Sequence, residues 1–592
     1  MRLLRSHPAR AAGLLTFLVL LATTDERSFG LIPDGQQMLF TAASMARFGE
    51  IGISRELGRT VPRPAGDAVS RYPIGPSLLL VPSTAAARAL RRVGPGAPTA
   101  PLFVLVPMLL LAVTAAALAA AALELGLTGP SATLLGVAGV LATPLWGYAG
   151  SDFSEPLQVA TLALCLWGFL RRSEAITGAA GGAALLAKTA LGVAVSPVLL
   201  LALVRFPRRA RLVASCALPV ALWGLFDLVR FGRLVGGYGN ELSFSYPPLW
   251  GLLRLLVLPN KGLLVYAPLL VLAPLGALAL FRKDRALAAA LAVPVAALFG
   301  LAATWWNWDG EAGWGPRLVV PTIPFLVVFV ASALHSFRVS RLAVALSVLG
   351  VAVNLLGALI PFPFVYALAS LAPPSPISES RAAGTEIELV RGAQGTLLAE
   401  GPRHLALTPS WSPIALHARL LFGAGLPFAV PAPVEPKGVP TVLEWSVNPL
   451  VEPRDVYVAA TAPFGWPFFG RSFVAPRPSG VDPYTLAMRD QAIRALDLKL
   501  VDRADSLARE LTHTAAKDVA LRAEAATRLG RFADADALLL KSDPCHLWLL
   551  FVRAERGLDL TCLPEADRVP FQGSVHAATS LPGWYRSFRS PG

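Results

Sequence analysis

Residues 101–123 read PLFVLVPMLLLAVTAAALAAAAL and contain no charged side chain. About 20 apolar residues are enough for a helix to cross the hydrocarbon core of a bilayer, and this stretch has that length. The whole chain shares its character, because 54% of the 592 residues are hydrophobic and only 15% are charged. Soluble proteins carry about 25% charged residues. The sequence therefore predicts a polytopic α-helical membrane protein and excludes an ordinary soluble domain.

Apolar runs on both sides of this stretch predict about eleven transmembrane helices in all. The predicted spans are residues 11–24, 101–123, 131–148, 156–170, two arms of a hairpin within 175–204, then 212–229, 263–280, 286–303, 318–334 and 342–361. The apolar segment 74–87 is shorter and contains Pro76 and Pro82. We expect it to form a surface or re-entrant helix within a first outer loop, residues 25–97.

Arginines collect at one end of the predicted spans and supply most of the net charge of +14. Cytoplasmic loops of membrane proteins are enriched in Lys and Arg, which predicts a cytoplasmic N-terminus and an extracytoplasmic C-terminal domain in the cell inner (plasma) membrane. No basic stretch is interleaved with aromatic residues, so a nucleic-acid partner is not expected.

The predicted membrane domain covers residues 1–361. After residue 361 the chain becomes polar and rich in proline. Short alternating stretches, 441–447 and 455–460, predict a β-rich module over 362–482. Residues 483–592 are predicted to be helical, which makes the extracytoplasmic domain α+β. Its segment 523–540, AEAATRLGRFADADALLL, fits a tetratricopeptide-like helix pair and equally a plain helical hairpin.

Two of the four cysteines, Cys165 and Cys216, lie in predicted spans, where small buried side chains are expected. Cys545 and Cys562 lie in the domain placed outside the membrane. An oxidising compartment would allow these two to form a disulfide.

Acidic residues in short outer loops are the first candidates for chemistry. Asp152 and Glu155 lie in GYAGSDFSEP with spacing i, i+3, so one helical turn would place both on one face. They could act as a general base or as ligands of a hydroxyl or metal, or they could cap the following helix. Asp34 precedes an amphipathic segment at the membrane surface, and there an N-cap is the plainer interpretation.

Cations and aromatic residues occur in the same predicted outer loops. They are Arg71 and Tyr72, Lys261 in an Asn-Lys-Gly turn, and the segment WWNWDGEAGWGPR with Trp308, Asp309, Glu311, Trp314 and Arg317. Lys188 falls at the turn of the predicted hairpin, near the outer surface. Carboxylates, cations and aromatic surfaces at a lipid–water boundary are what a transferase with a lipid-phosphate sugar donor requires.

The order of these motifs resembles the GT-C superfamily of polyprenyl-phosphate-sugar glycosyltransferases. The motifs are an Asp opening the first outer loop, MARFGE, RYPIGPSLL, GYAGSDFSEP, LLAKTA, LPNKGLLVYAP and WWNWDGEAGWGPRL. They are most similar to the bacterial branch related to protein O-mannosyltransferases and lipid A aminoarabinose transferases. The similarity covers roughly residues 11–361.

This resemblance implies a role for each candidate residue. Asp34 resembles the catalytic base, and Asp152 with Glu155 the second acidic site, which supports the acceptor or a divalent cation. Contacts to the donor phosphate are expected from Lys188, Arg317, Lys261 and Arg71, and contacts to sugar or lipid from Tyr72, Trp308, Asp309, Glu311 and Trp314. Gly35 departs from the frequent Asp-Glu pair of the family.

The expected partners are therefore membrane lipid, a polyprenyl-phosphate-linked sugar as donor, and a glycan, lipid or protein acceptor. No cofactor is required by the sequence, although a divalent cation is possible. The alternative function is a lipid-linked saccharide transporter or flippase, which would place cations along a path across the membrane. Here the charges collect on the predicted outer side.

Overall fold

The structure is a computed structural model that describes residues 7–55, 60–234, 236–237, 243–308, 310, 313–335, 337–365, 412–423, 469, 482–511, 516–531, 533–535 and 537–538. Within these ranges the chain is mostly helical, as predicted. Helices α1 to α19 are, in chain order, Pro8–Thr23, Pro33–Phe48, Ile74–Val93, Ala100–Glu124, Gly129–Leu141, Glu155–Leu170, Glu174–Ala187, Gly192–Arg205, Arg209–Phe231, Pro248–Val257, Leu263–Tyr266, Ala273–Lys283, Arg285–Thr304, Ile323–Ala333, Phe337–Leu359, Pro413–Leu421, Pro483–Asp497, Val501–Glu510 and Ala516–Arg528.

Among the described residues, four helices are long and apolar enough to cross a membrane: Ala100–Glu124, Arg209–Phe231, Arg285–Thr304 and Arg338–Leu359. In Arg209–Phe231 only 17% of the most apolar window is buried inside the protein. An apolar surface of that extent is stable against lipid. Several other predicted spans form shorter apolar helices, so a total of eleven spanning helices stays a prediction.

Prolines interrupt three segments that the sequence predicted as single helices. Residues 131–148 end as a helix at Leu141 and continue as a 3-10 turn, Pro144–Tyr148. Residues 263–280 split into α11, a 3-10 turn at Pro268–Leu272 and α12, and residues 318–334 begin with the 3-10 turn Arg317–Thr322. Proline lacks an amide hydrogen and clashes with the preceding turn, so the prediction of uninterrupted helices was wrong here.

The predicted break within residues 175–204 is present in the structure. Helix α7 ends at Ala187, Lys188 is extended with φ −169°, and a 3-10 turn Thr189–Leu191 leads into α8. The start of α3 packs directly on this break, because a Cβ at Gly75 would lie 2.5 Å from the carbonyl oxygen of Leu186. The glycine of RYPIGPSLL thus allows a close backbone approach.

The first loop carries α2, α3 and a small sheet that the sequence did not predict. Strands β1 (Gly52–Ile53), β2 (Val61–Pro62) and β3 (Ala68–Val69) pair antiparallel in the order β1-β3-β2. Helix α3 runs to Val93, beyond the predicted end at residue 87. The short helix α10 was also not predicted.

The C-terminal helices pack on this first loop. Every residue of α17 from Pro483 to Leu496 is buried, and the helix contacts α2, α3, α4 and β1. Its Arg494 pairs with Asp67 at 2.8 Å, and Asp490 accepts hydrogen bonds from the backbone N–H and the hydroxyl of Ser54 at 3.0 and 2.6 Å. Helix α17 is therefore packed against the first loop, and the division into a separate helical module over 483–592 stays a prediction.

Other predictions for the C-terminal region fall on residues that the structure does not describe. These are the strands 441–447 and 455–460, and both Cys545 and Cys562. Within 362–482 the described pieces include one helix, α16.

Candidate functional site

Asp34 lies in the first turn of α2 and faces two other elements. Its Oδ2 accepts a hydrogen bond from Arg317 Nη2 at 2.7 Å, and its Oδ1 accepts one from the hydroxyl of Tyr72. The cap position of this helix is Ile32, and no side chain caps it. Asp34 is therefore not an N-cap, and its carboxylate is directed by tertiary contacts.

Arg317 connects Asp34 to the second acidic loop. Its Nε donates to Oε1 of Glu155 at 2.9 Å, while its guanidinium carbon lies 3.8 Å from the ring centroid of Phe153. A guanidinium is planar and can serve two carboxylates and an aromatic face at once. One cation thus holds together residues that are 283 and 162 positions away from it in the chain.

Asp152 is the third carboxylate near Asp34 and Glu155, and its side chain contacts the segment around Gly30 and Gly35. Its Oδ2 accepts the backbone N–H of Gly30 at 3.0 Å, and its side chain occupies the space beside Gly35. Helix α6 begins only at Glu155, and Ser154 at its cap position makes no side-chain cap bond. Asp152 and Glu155 therefore neither share a helical turn nor cap α6, which corrects both of those interpretations.

The two aspartates differ in their tendency to hold a proton. Burial alone would raise the pKa of Asp34, but the charge of Arg317 and the hydrogen bonds from Tyr72 and Arg317 lower that pKa below its ordinary value. Burial raises the pKa of Asp152 to about 7, against the backbone hydrogen bond from Gly30 and with a contribution from the charge of Asp34. Near neutral pH, Asp34 is therefore ionised, whereas Asp152 is present in both its protonated and its ionised form.

A second ion pair, absent from the sequence prediction, holds the segment that carries Tyr72. Arg230 donates to the carbonyl oxygens of Tyr72 and Ser70 and pairs with Asp227 three residues earlier in α9. Both charged side chains are buried. Charged residues inside an apolar helix are energetically costly unless they are paired or hold another segment in place. The Asp-Arg pair at i, i+3 in an apolar helix could therefore have identified Asp227 and Arg230 from the sequence.

The remaining predicted cations make different interactions around the site. Lys188, half-buried at the break between α7 and α8, interacts electrostatically with Asp34, Glu155 and Arg317. Arg71 contributes to the field at Asp34. Lys261 is fully buried and donates to the carbonyl of Gly313 at 3.3 Å, so it supports the loop that leads to Arg317.

The two tryptophans of that loop that were predicted to contact sugar or lipid, Trp308 and Trp314, are packed inside the protein. Trp314 is fully buried, donates its indole N–H to Asn354 at 2.9 Å, and meets the ring of Tyr266 edge-on. Trp308 is also buried, with the guanidinium of Arg254 5.2 Å from its ring centroid. A stabilising role accounts for both tryptophans. Asp309 and Glu311 lie outside the described residues.

A divalent cation finds no ready-made ligand set in the part of the chain that the structure describes. No group of three or more His, Cys, Asp or Glu side chains could hold a metal ion there. Arg317 already supplies the positive charge between Asp34 and Glu155. A divalent cation at this site stays a prediction.

Comparisons with known proteins add little to this geometry. No family model and no curated protein matches the chain. A solved structure, the oligosaccharyltransferase of Archaeoglobus fulgidus in the apo form, aligns with 64% of this chain and 60% of that chain at 11% identity and a TM-score of 0.36. The chain thus spans less than two thirds of that protein.

Proposed function

We propose that this protein is an integral membrane glycosyltransferase that moves a sugar from a polyprenyl-phosphate donor to an acceptor hydroxyl on the extracytoplasmic side, with inversion. The observation that carries the proposal is the bridge from Asp34 through Arg317 to Glu155, with Asp152 beside it. This bridge brings carboxylates next to a guanidinium, which is a group that can bind phosphate, and the proposed reaction needs both.

In the proposed reaction, Asp34 is the base that removes the proton of the acceptor hydroxyl. The hydroxyl oxygen forms a bond to the anomeric carbon, and the bond from that carbon to the phosphate oxygen breaks with its electron pair leaving on the phosphate. Asp34 suits this role because its lowered pKa keeps it ionised. Both of its oxygens already accept hydrogen bonds, so the acceptor must replace Tyr72 or Arg317 at one of them.

Arg317 and Lys188 are proposed to receive the donor phosphate. A guanidinium binds phosphate oxygens with the same fork that it uses for carboxylates. Arg317 would then exchange part of its pairing with Asp34 for the incoming phosphate, and this would free one oxygen of Asp34 for the acceptor. Asp152 and Glu155 are proposed to orient the acceptor, since each has a buried oxygen that has no hydrogen-bond partner among the described residues.

The experiment is to incubate the purified protein with labelled polyprenyl-phosphate sugars and a cell-envelope extract as acceptor source, and to measure donor consumption and product. We expect one donor to be consumed by the wild type and by Asp284→Asn, an aspartate far from the site that pairs with Arg205. We expect Asp34→Asn to consume that donor about 10²–10⁴ times more slowly. The flippase alternative predicts that donor in proteoliposomes changes leaflet and is never consumed.

A further inference from the structure

A cleft lies at the far end of α3, away from the acidic site. Its volume is about 270 Å³, and it is lined by the last turns of α3 on one side and by the start of α17 and the end of α18 on the other. Helix α3 starts two residues after Tyr72, and at 1.5 Å per residue Arg92 is about 27 Å farther along the axis than Ile74. The cleft is therefore separate from Asp34 and its partners.

Three arginines of α3 line this cleft. Arg88, Arg91 and Arg92 follow the spacing i, i+3 and i, i+4, which places them side by side on one face of the helix. Like charges at this spacing repel each other. The C-terminal end of the helix dipole offsets part of that repulsion.

The negative charges at the cleft are already matched. Asp482 pairs with Arg91 at 2.8 Å, and Glu510 pairs with Arg47 through both of its oxygens. Arg88 and Arg92 have no acidic partner among the residues that the structure describes. The Nε of Arg91 is buried and has no hydrogen-bond partner in the described part of the chain. The cleft thus holds two uncompensated positive charges and an unused donor.

The opposite wall offers a hydroxyl and apolar surface. Tyr484 and Thr485 face the arginines, with Met488 and Leu511 beside them. Burial raises the pKa of the Tyr484 phenol, so it remains a hydrogen-bond donor. An anion with an attached apolar or neutral group matches this wall better than a bare ion does.

We propose that this cleft binds a phosphate ester and thereby clamps α17 to α3. Arginine forks match phosphate oxygens, and a phosphate can accept from several guanidiniums at once. The ester could belong to the headgroup of an anionic phospholipid or to a soluble molecule. This inference does not depend on the proposed transfer reaction.

The test uses full-length protein in detergent and measures binding together with the unfolding temperature. One arm adds inorganic phosphate or glycerol phosphate against chloride at equal ionic strength. The other arm adds mixed micelles with phosphatidylglycerol against micelles with phosphatidylcholine. Binding in the first arm identifies a soluble source, and binding confined to the second identifies a lipid headgroup.

The variants decide whether this cleft is responsible. Arg88→Gln with Arg92→Gln should weaken binding by about tenfold or more, and Arg88→Lys with Arg92→Lys should weaken it less because the charge remains. Arg282→Gln with Lys283→Gln removes the same charge from an exposed helix end and should change nothing. Equal binding in wild type and the Arg88/Arg92 glutamine variant, or no binding in either arm, would overturn the proposal.

Discussion

The side chain of Asp152 fills the space that a side chain at Gly35 would need. A Cβ built on Gly35 would lie 1.9 Å from Cγ of Asp152 and 2.2 Å from its Oδ2. Gly35 therefore allows the side chain of Asp152 to lie next to Asp34, because any larger residue at position 35 would collide with it.

Gly35→Ala should therefore displace Asp152 and break its hydrogen bond to the Gly30 amide. We expect transfer activity to fall at least tenfold, and overpacking to cost about 1–3 kcal/mol of stability. Gly300→Ala is the matched control, because a Cβ there meets nothing within 4 Å. Activity and unfolding temperature are measured for both variants. Full activity of Gly35→Ala would show that the position of Asp152 is unimportant.

Lys188→Ala should weaken donor binding and leave the protein folded. Lys188 interacts with the acidic site electrostatically, so its loss removes attraction for a phosphate without opening a packed core. Arg317→Ala is less informative, since it would leave two carboxylates without their cation, and breaking such a buried pair costs about 3–5 kcal/mol. Donor affinity is measured by equilibrium binding, with exposed Lys283→Ala as control. Unchanged affinity in Lys188→Ala would remove Lys188 from the donor site.

The pH dependence of transfer should separate the two aspartates. Asp34, with its lowered pKa, is ionised throughout the neutral range, whereas Asp152 titrates near 7. We expect kcat/KM of the wild type to inflect near pH 7 and Asp152→Asn to lose that inflection while it keeps measurable activity. Asp34→Asn should lower turnover by about 10²–10⁴ at every pH.

The assignment would reverse under one specific result. If Asp34→Asn retains near-normal turnover while Asp152→Asn is inactive, Asp152 is the base and Asp34 only anchors Arg317. Substrate affinity of both variants serves as the control for folding of the site.

Stability should fall as pH rises because of Asp490, which is buried in α17. Burial raises its pKa to about 7 despite the hydrogen bonds from Ser54 and the charge of Arg494, while Asp497 adds to the rise. The unfolded chain releases this proton near pH 4 and the folded chain near 7. The folded state therefore loses stability across that window, by up to about 4 kcal/mol, and the loss levels off above it.

Asp490→Asn should flatten this part of the stability profile. The comparison is the unfolding temperature of variant and wild type between pH 4 and 8, where the variant should gain relative to the wild type as pH rises. A constant difference across the range would mean that Asp490 does not titrate in this window.

Local patterns in the amino-acid sequence were enough to predict the class of the protein and most of the residues of its candidate site. Apolar runs such as 101–123 indicate membrane helices because hydrophobic length is a local property of the chain. The break at Lys188 and the candidacy of Asp34, Glu155 and Arg317 also followed from short motifs. The sequence also shows where the prolines are. Whether they end a helix within 131–148 and 263–280 depended on how the helix ends are packed.

Which of these residues contact one another depends on the three-dimensional packing of the helices and loops. The bridge from Arg317 to Asp34 and Glu155, the space for Asp152 beside Gly35, and the support of Tyr72 by Arg230 join residues more than 100 positions apart. The packing of α17 on the first loop joins residues that are still farther apart in the chain, such as Arg494 and Asp67. Hydropathy and periodicity are set by near neighbours in the chain, whereas ion pairs and close packing depend on which elements fold against one another.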